Sequence, residues 1–361
     1  MLIGVQTVML MIGTRKGGFI ATAGADRTAW TLEGPFLKGS EVHFVTYLPR
    51  TETLVATVKS WWFGPGIRLS ADRGANWIEP ERGIRFDESR GKSVERIWMV
   101  REGSNAVYAG VDPAALFRSR DAGNTWDEVT ALTDHQTREK WSPGAGGLMV
   151  HSICPDPVNA QRVFVGISAA GMFRTDDGGS TWNPKNNGVR ADFLPDKFPD
   201  VGQCVHHLEQ HPSEPNVLYQ QNHCGVYRTE DAGDNWIDIS EGLPSRFGFP
   251  IVVSPRDGNT IFVIPEESSE ARMTPGGFLG IFRSRNRGAS WERLTKGLPQ
   301  QDSYAHIFRA AACADSLEST GVYVGTQGGQ LLASRNSGDS WETIFNWLPP
   351  IYSVQAAVIE R

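Results

Sequence analysis

The residues best equipped for chemistry cluster in GQCVHHLEQHP (residues 202–212), which holds three histidines in six positions and a cysteine two residues before the first. Imidazole and thiolate are metal ligands, and imidazole also serves as an acid or base near neutral pH. Three segments share one spacing. His43 precedes Pro49 by six residues in VHFVTYLP, His151 precedes Pro157 in VHSICPDP, and His206 precedes Pro212 in VHHLEQHP. AHIFRAAA sets His306 in the same register, and ERIWMV sets Arg96 there. Four imidazoles at one strand level can converge on a divalent transition metal (Zn, Mn, Fe or Cu). Strand side chains alternate between faces, so the same register equally suits packing inside a sheet stack. By that alternation His207 points away from His206, and His211 falls at the strand end; both read as structural.

Further candidates surround this set. QQNHCGVYR presents Gln221, Asn222 and His223 where related segments carry VGI or AGV. Such a polar run suits ligand recognition or support of a site. His223, Arg96 and Lys16 (in GTRKGG) are the candidate catalytic groups. Cys224 offers a nucleophile with His223 as its base, although adjacency in sequence does not supply the geometry. Arg138 and Trp141 lie in the long connection LTDHQTREKWSPGAGG, and Trp61 and Trp62 in a short one. With Arg309, Gln221 and Asn222 they are the candidate substrate contacts. Flat indole faces suit sugar or aromatic rings, and the arginines suit an anion.

The elements that must hold these residues are legible in an internal repeat. SADRGANW, SRDAGNTW, TDDGGSTW, TEDAGDNW, SRNRGASW and SRNSGDSW share the pattern [ST]-x-[DN]-x-G-x-x-W, and AGADRTAW is a degenerate copy. The tryptophans fall at 30, 77, 126, 182, 236, 291 and 341. Ser or Thr and Asp or Asn fold back onto a turn, Gly supplies a positive φ, and Trp buries a large apolar face. Each copy follows an alternating strand such as GMFR or GVYR. A period near fifty with four strands per unit predicts an all-β, seven-bladed β-propeller, with six blades as the alternative count. The last segment, IYSVQAAVI, supplies the strand that the first blade lacks and closes the ring. The whole chain, residues 1–361, reads as one propeller domain.

The octamer resembles the Asp-box, or BNR, repeat of sialidases, sortilin-type receptors and the photosystem II assembly factor. GTRKGGF, PAALFRS, PGAGGLMVHSI, QQNHCGVYR and SRNSGDSW resemble a bacterial family labelled BNR-repeat or exo-α-sialidase-like. That resemblance implies a propeller whose Asp boxes lie on the bottom rim and whose candidate site lies at the opposite, top face. It does not imply one activity, because the repeat occurs in proteins of different function. The sialidase motif [FY]-R-[IL]-P is absent; LPRTE and VERIW do not match it. The histidine set is also similar in architecture to the four-histidine iron site of carotenoid-cleaving oxygenases and to metal sites of propeller polysaccharide lyases.

Bulk properties bound the function class. The chain has 361 residues, 39 Gly, 21 Pro and a formal net charge of −6 without a basic block. This argues against nucleic acid as a partner. No apolar run is long enough to span a bilayer, and the N-terminal MLIGVQTVMLMIG has no positive residues ahead of it, so it reads as a strand. Four scattered cysteines without a CxxC pair fit a reduced, cytoplasmic setting. The expectation is a metal-dependent hydrolase or lyase with a small-molecule or saccharide ligand at the top face. The alternatives are a non-catalytic binding or assembly propeller, a sialidase-type glycosidase and a metal-dependent oxygenase.

Overall fold

The computed structural model describes residues 6–360. They form a seven-bladed β-propeller, with six antiparallel sheets of four strands and one of three. In the three-stranded sheet Ile78 bridges back to Leu69, where a fourth strand stands in the other blades. Among the described residues, no helix is long and apolar enough to cross a membrane.

The chain divides into two compact units where the sequence predicts one domain. One unit is Leu48–Ser240, and the other contains the remainder. The latter holds the closure foreseen from the sequence. Ile351–Glu360 pairs antiparallel with Gln6–Thr14, which pairs with Gly17–Gly24 and then Thr31–Phe36. Its core runs through Leu10, Ile12, Ile281, Tyr323 and Val354. In Leu48–Ser240, Val100, Val107 and Phe117 anchor one cluster, and Phe164, Leu208 and Tyr227 another.

The repeat octamers are the hairpins between third and fourth strands, and the structure gives each conserved type in the pattern a task. Thr175 donates its hydroxyl to Asp177 Oδ1 at 2.8 Å and accepts from Gly179 N at 2.9 Å. Asp177 in turn accepts from Thr181 N at 2.9 Å and Thr181 Oγ1 at 2.7 Å. The Ser70–Asp72 copy repeats this pattern with Gly74 and Asn76. In three copies the Trp indole donates to the Gly carbonyl, as from Trp126 to Gly123 at 2.8 Å. Two successive residues have positive φ, for example Ala122 (58°) ahead of Gly123 (94°). The turn therefore needs the left-handed region one residue earlier than the Gly in the pattern indicates.

The degenerate first copy lacks this lattice and has another. Arg27 makes a bidentate pair with Asp315 at 2.8 and 2.9 Å, and Tyr323 Oη donates to the same carboxylate at 2.6 Å. Trp30 packs edge-on to Tyr323 with centroids 5.7 Å apart. An interblade ion pair thus replaces the missing turn bonds.

Candidate metal centre

Within Leu48–Ser240, the strand Val205–Gln210 presents the most concentrated set of donor atoms. Its pairing is interrupted. Val205 lies opposite Asn222 and His207 opposite Gln221, so His206 is the extra residue of a β-bulge. A bulge frees one side chain from the alternation and re-aims it. Cys204, His206 and His223 each contribute one donor atom, and these atoms lie within 4.8 Å of one another. The rings of His206 and His223 meet edge to face at 5.6 Å. His223 N donates to Cys204 O at 3.0 Å, tying the turn after Leu218–Asn222 to the entry of the strand. His206 is buried, while Cys204 and His223 are half-buried, so the cluster is open on one side.

The amides beneath the turn shape it. Gln221 is buried and donates to Asn222 O at 3.0 Å and Gly225 O at 3.3 Å. Asn222 Oδ1 accepts from Cys224 N at 3.3 Å. Both side chains support the His223 turn and present no surface to a ligand, which corrects their assignment as substrate contacts. Cys224 is buried, and burial pushes its thiol above the ordinary range. That opposes a role as a thiolate nucleophile.

The bulge recurs, and it sorts the aligned histidines. In Met149–Pro155 it falls at His151, and in Arg96–Glu102 at Trp98. His206, His151 and Trp98 all stand five residues before the hydrogen bond that closes the first hairpin of their blade. These bonds run from His211 N to Val217 O (2.9 Å), Asp156 N to Arg162 O (3.0 Å) and Gly103 N to Ala106 O (2.8 Å). The equivalent bond in the last blade joins Asp315 N and Gly321 O, which places Ala310 at this position. His306 lies four residues earlier, in irregular chain ahead of the short strand Ala312–Ala314. Two alignments are thereby corrected. His306 is out of register, and Trp98 rather than Arg96 occupies the histidine position.

His151 is a satisfied core residue. Its Nε2 donates to Val205 O at 2.9 Å, and its Nδ1 lies 3.0 Å from Ser152 Oγ. Ser168 Oγ stands a further 3.0 Å from Nε2. With both nitrogens engaged by protein, the predicted ligand role does not hold for His151. His211 Nδ1 accepts from Ser213 N and Glu214 N, and His207 Nε2 lies 3.1 Å from Glu209, so both are structural as read from the sequence.

In the other unit, His43 stacks on Tyr352 with centroids 4.8 Å apart and lies 3.1 Å from Glu41. His306 Nδ1 lies 2.7 Å from Glu266 Oε1. Lys16 is exposed at the turn between Thr14 and Gly17, and Arg309 lies over the Phe249 ring at 5.7 Å.

The remaining candidates in Leu48–Ser240 divide by exposure. Trp141 is buried, 5.0 Å from the Phe173 ring, with its indole donating to Thr137. Arg138 lies on the Trp141 ring at 4.8 Å and donates to Ala114 O at 2.6 Å. These two pack the loop and offer no binding face, which corrects their assignment. Trp61 and Trp62 are 96% and 89% exposed at the tip of the hairpin after Thr53–Ser60. Arg96 lies on the Trp98 ring at 4.9 Å and pairs in register with Asp112. Asp112 escaped the sequence reading. Burial pushes its carboxyl up, with Arg96 the leading opposing charge. Cys204, the third donor of this cluster, also escaped the sequence reading, although it stood in the histidine segment, because the alignment admitted only histidine.

The hairpins and the seven sheets decide the class. This chain is a seven-bladed β-propeller that carries Asp-box hairpins. A family model described as Sortilin, neurotensin receptor 3, matches residues 114–275. No curated protein matches. Among solved structures, the Asp-box propeller is similar to a GH74 enzyme of Niastella koreensis at 17% identity and TM-score 0.61. That match covers 92% of this chain and 51% of the enzyme, so the chain spans about half of that relative's length. It is similar to YCF48 from Cyanidioschyzon merolae at 14% identity, covering 86% of each chain, with TM-score 0.58. It is also similar to a candidate 6-phosphogluconolactonase of Bacteroides uniformis at 11% identity. There the coverage is 98% and 99%, and the TM-score is 0.58. At these identities the likeness is one of fold.

Proposed function

We propose that this Asp-box propeller is a metal-dependent hydrolase or lyase whose metal is held by Cys204, His206 and His223. One observation carries the reading: three soft or borderline donors within 4.8 Å of one another, on a bulged strand and the turn beside it. One thiolate and two imidazoles suit zinc, iron or copper and disfavour manganese, which prefers oxygen ligands. Three protein ligands leave a fourth position for water, the pattern of catalytic zinc, and a metal there would lower the pKa of that water to near neutrality. Phe193 sets its ring edge-on to His223 at 5.1 Å and is half exposed, so it would contact a bound substrate. The substrate in this reading is a small anionic or sugar-like molecule. A reduced thiolate ligand is consistent with cytoplasmic placement and with the lack of a disulfide among the described residues.

The test is metal analysis of protein purified without chelator, followed by cobalt(II) loading. About one equivalent of metal is expected, with thiolate-to-cobalt charge-transfer absorption that disappears in Cys204→Ser. Metal content should fall at least tenfold in His206→Ala and stay unchanged in His151→Ala. Protein that takes up no metal under any loading would sink the proposal. Oxygen consumption by an iron or copper form would redirect it to an oxygenase.

A second reading has one observation in its favour. Trp61, Trp62 and Phe63 are three consecutive exposed aromatics, and the similar YCF48 fold is also known with a D1 peptide bound. A peptide- or protein-binding platform would lose affinity on Trp61→Ala and Trp62→Ala without any metal requirement.

A further inference from the structure

The connection between Ile261–Pro265 and Ile281–Ser284 begins with a carboxylate that the metal centre does not use. Glu266 is 0% exposed. Its Oε1 accepts from His306 Nδ1 at 2.7 Å and from Ile307 N at 3.2 Å. Its Oε2 is equally buried and has no hydrogen-bond partner among the described residues. The segments carrying the two residues are bound together nearby. Thr274 N donates to Ala305 O, Thr274 Oγ1 to Ser303 O, and Ser303 N to Gly277 O, all at 2.9–3.0 Å. The His306 ring is held between the edges of Phe249 (5.3 Å) and Phe308 (4.9 Å). Arg309 and Arg272 both lie over the Phe249 ring, at 5.7 and 5.5 Å.

Two consequences follow from elementary chemistry. A carboxylate can only accept, so the proton of neutral His306 resides on Nδ1 and the lone pair on Nε2. Among the described residues Nε2 has no hydrogen-bond partner, and it is not sealed from solvent. A buried carboxylate with one unused oxygen is also costly to keep, because that oxygen loses its water without gaining a hydrogen bond. A merely structural anchor for an imidazole would not need that arrangement.

We infer that Glu266 and His306 form a second reactive centre, with His306 Nε2 as general base for hydrolysis of an anionic ester and Glu266 as its positioning residue. Arg309 supplies the charge that meets the anionic group. His306 Nε2 takes a proton from water as the water oxygen bonds to the ester carbonyl carbon. The tetrahedral adduct then expels the alcohol oxygen, the carbonyl re-forms, and the proton passes from the imidazolium to the leaving oxygen. The products are a carboxylic acid and an alcohol, with no change in oxidation state.

The probes are 4-nitrophenyl acetate and its anionic counterpart, mono-4-nitrophenyl glutarate. They are assayed in wild-type protein and in Cys204→Ser, so that turnover at the proposed metal centre is subtracted. Turnover of the glutarate should persist in Cys204→Ser and fall about 100-fold in His306→Gln, the ordinary range for loss of a general base. Arg309→Met should raise KM for the glutarate alone. Glu266→Leu, which removes the acceptor, should lower kcat about tenfold with little change in KM, and nitrogen NMR should show that His306 has lost its fixed Nδ1–H tautomer. His306→Asn guards against a variant that does not fold. Equal rates for folded wild-type and His306 variants, or an unchanged tautomer in Glu266→Leu, would overturn the inference. Turnover lost in Cys204→Ser but kept in His306→Gln would also overturn it, while supporting the metal centre.

Discussion

Asp72 and Asp177 show what a repeated residue contributes beyond recognition of the motif. Hydrogen bonds from Asn76 hold the Asp72 carboxyl at about 2, and bonds from Thr181 hold Asp177 at about 2, against 3.8 for a free side chain. A carboxyl depressed in the folded state stabilises above its unfolded pKa and loses that contribution as pH falls toward the folded one. The hairpins should therefore weaken between about pH 4 and pH 2. Thermal melts across that window should show a decline that is shallower in Asp72→Asn, whose amide does not titrate. Single residues were also the hardest feature to read in advance. Spacing to proline placed His151 and His206 at one level, and the structure agrees. It could not tell that Ser152, Ser168 and Val205 O occupy His151 while His206 turns toward Cys204 and His223. That difference depends on neighbours distant in sequence.

At the level of elements, the strands and hairpins were legible because the octamer is a local device. Its hydroxyl, carboxylate, glycine and indole act within eight residues, so the pattern and the fold carry the same information. The bulges were not legible, since one extra residue in an apolar strand leaves no periodic trace. The last blade was misaligned for a related reason: its first strand is only Ala312–Ala314, and no proline marks its end. The hairpins themselves are not equivalent. Trp126 is buried, and its indole donates to Gly123 O at 2.8 Å, whereas Trp77 is only partly buried. Trp126→Ala should cost about 3–5 kcal/mol by cavity formation and lost burial, and Trp77→Ala clearly less. Urea unfolding of the two variants measures the difference, and equal losses would show that the indoles act through the turn rather than through the core.

For the molecule as a whole, the decisive pairing is between Gln6–Thr14 and Ile351–Glu360, in which Gln6 lies opposite Glu360. Val354 and Ile351 are fully buried in the core of that unit. A chain ending before Ile351 should lose that core and expose the free edge of Gln6–Thr14, a template for pairing with other chains. Such a truncation is expected to aggregate, and supplying residues 351–360 as a peptide should restore part of the soluble fraction. The same pairing fixes an order of events in the cell. Residues 6–36 leave the ribosome well before Ile351, yet their sheet cannot be completed until Ile351 and its successors follow. At synthesis rates of about 5–20 residues per second, that wait is on the order of 15–60 s. Through that interval the edge of Gln6–Thr14 stands open, so a sheet begun early in this chain waits on its distant partner strand and is exposed to pairing with other chains meanwhile.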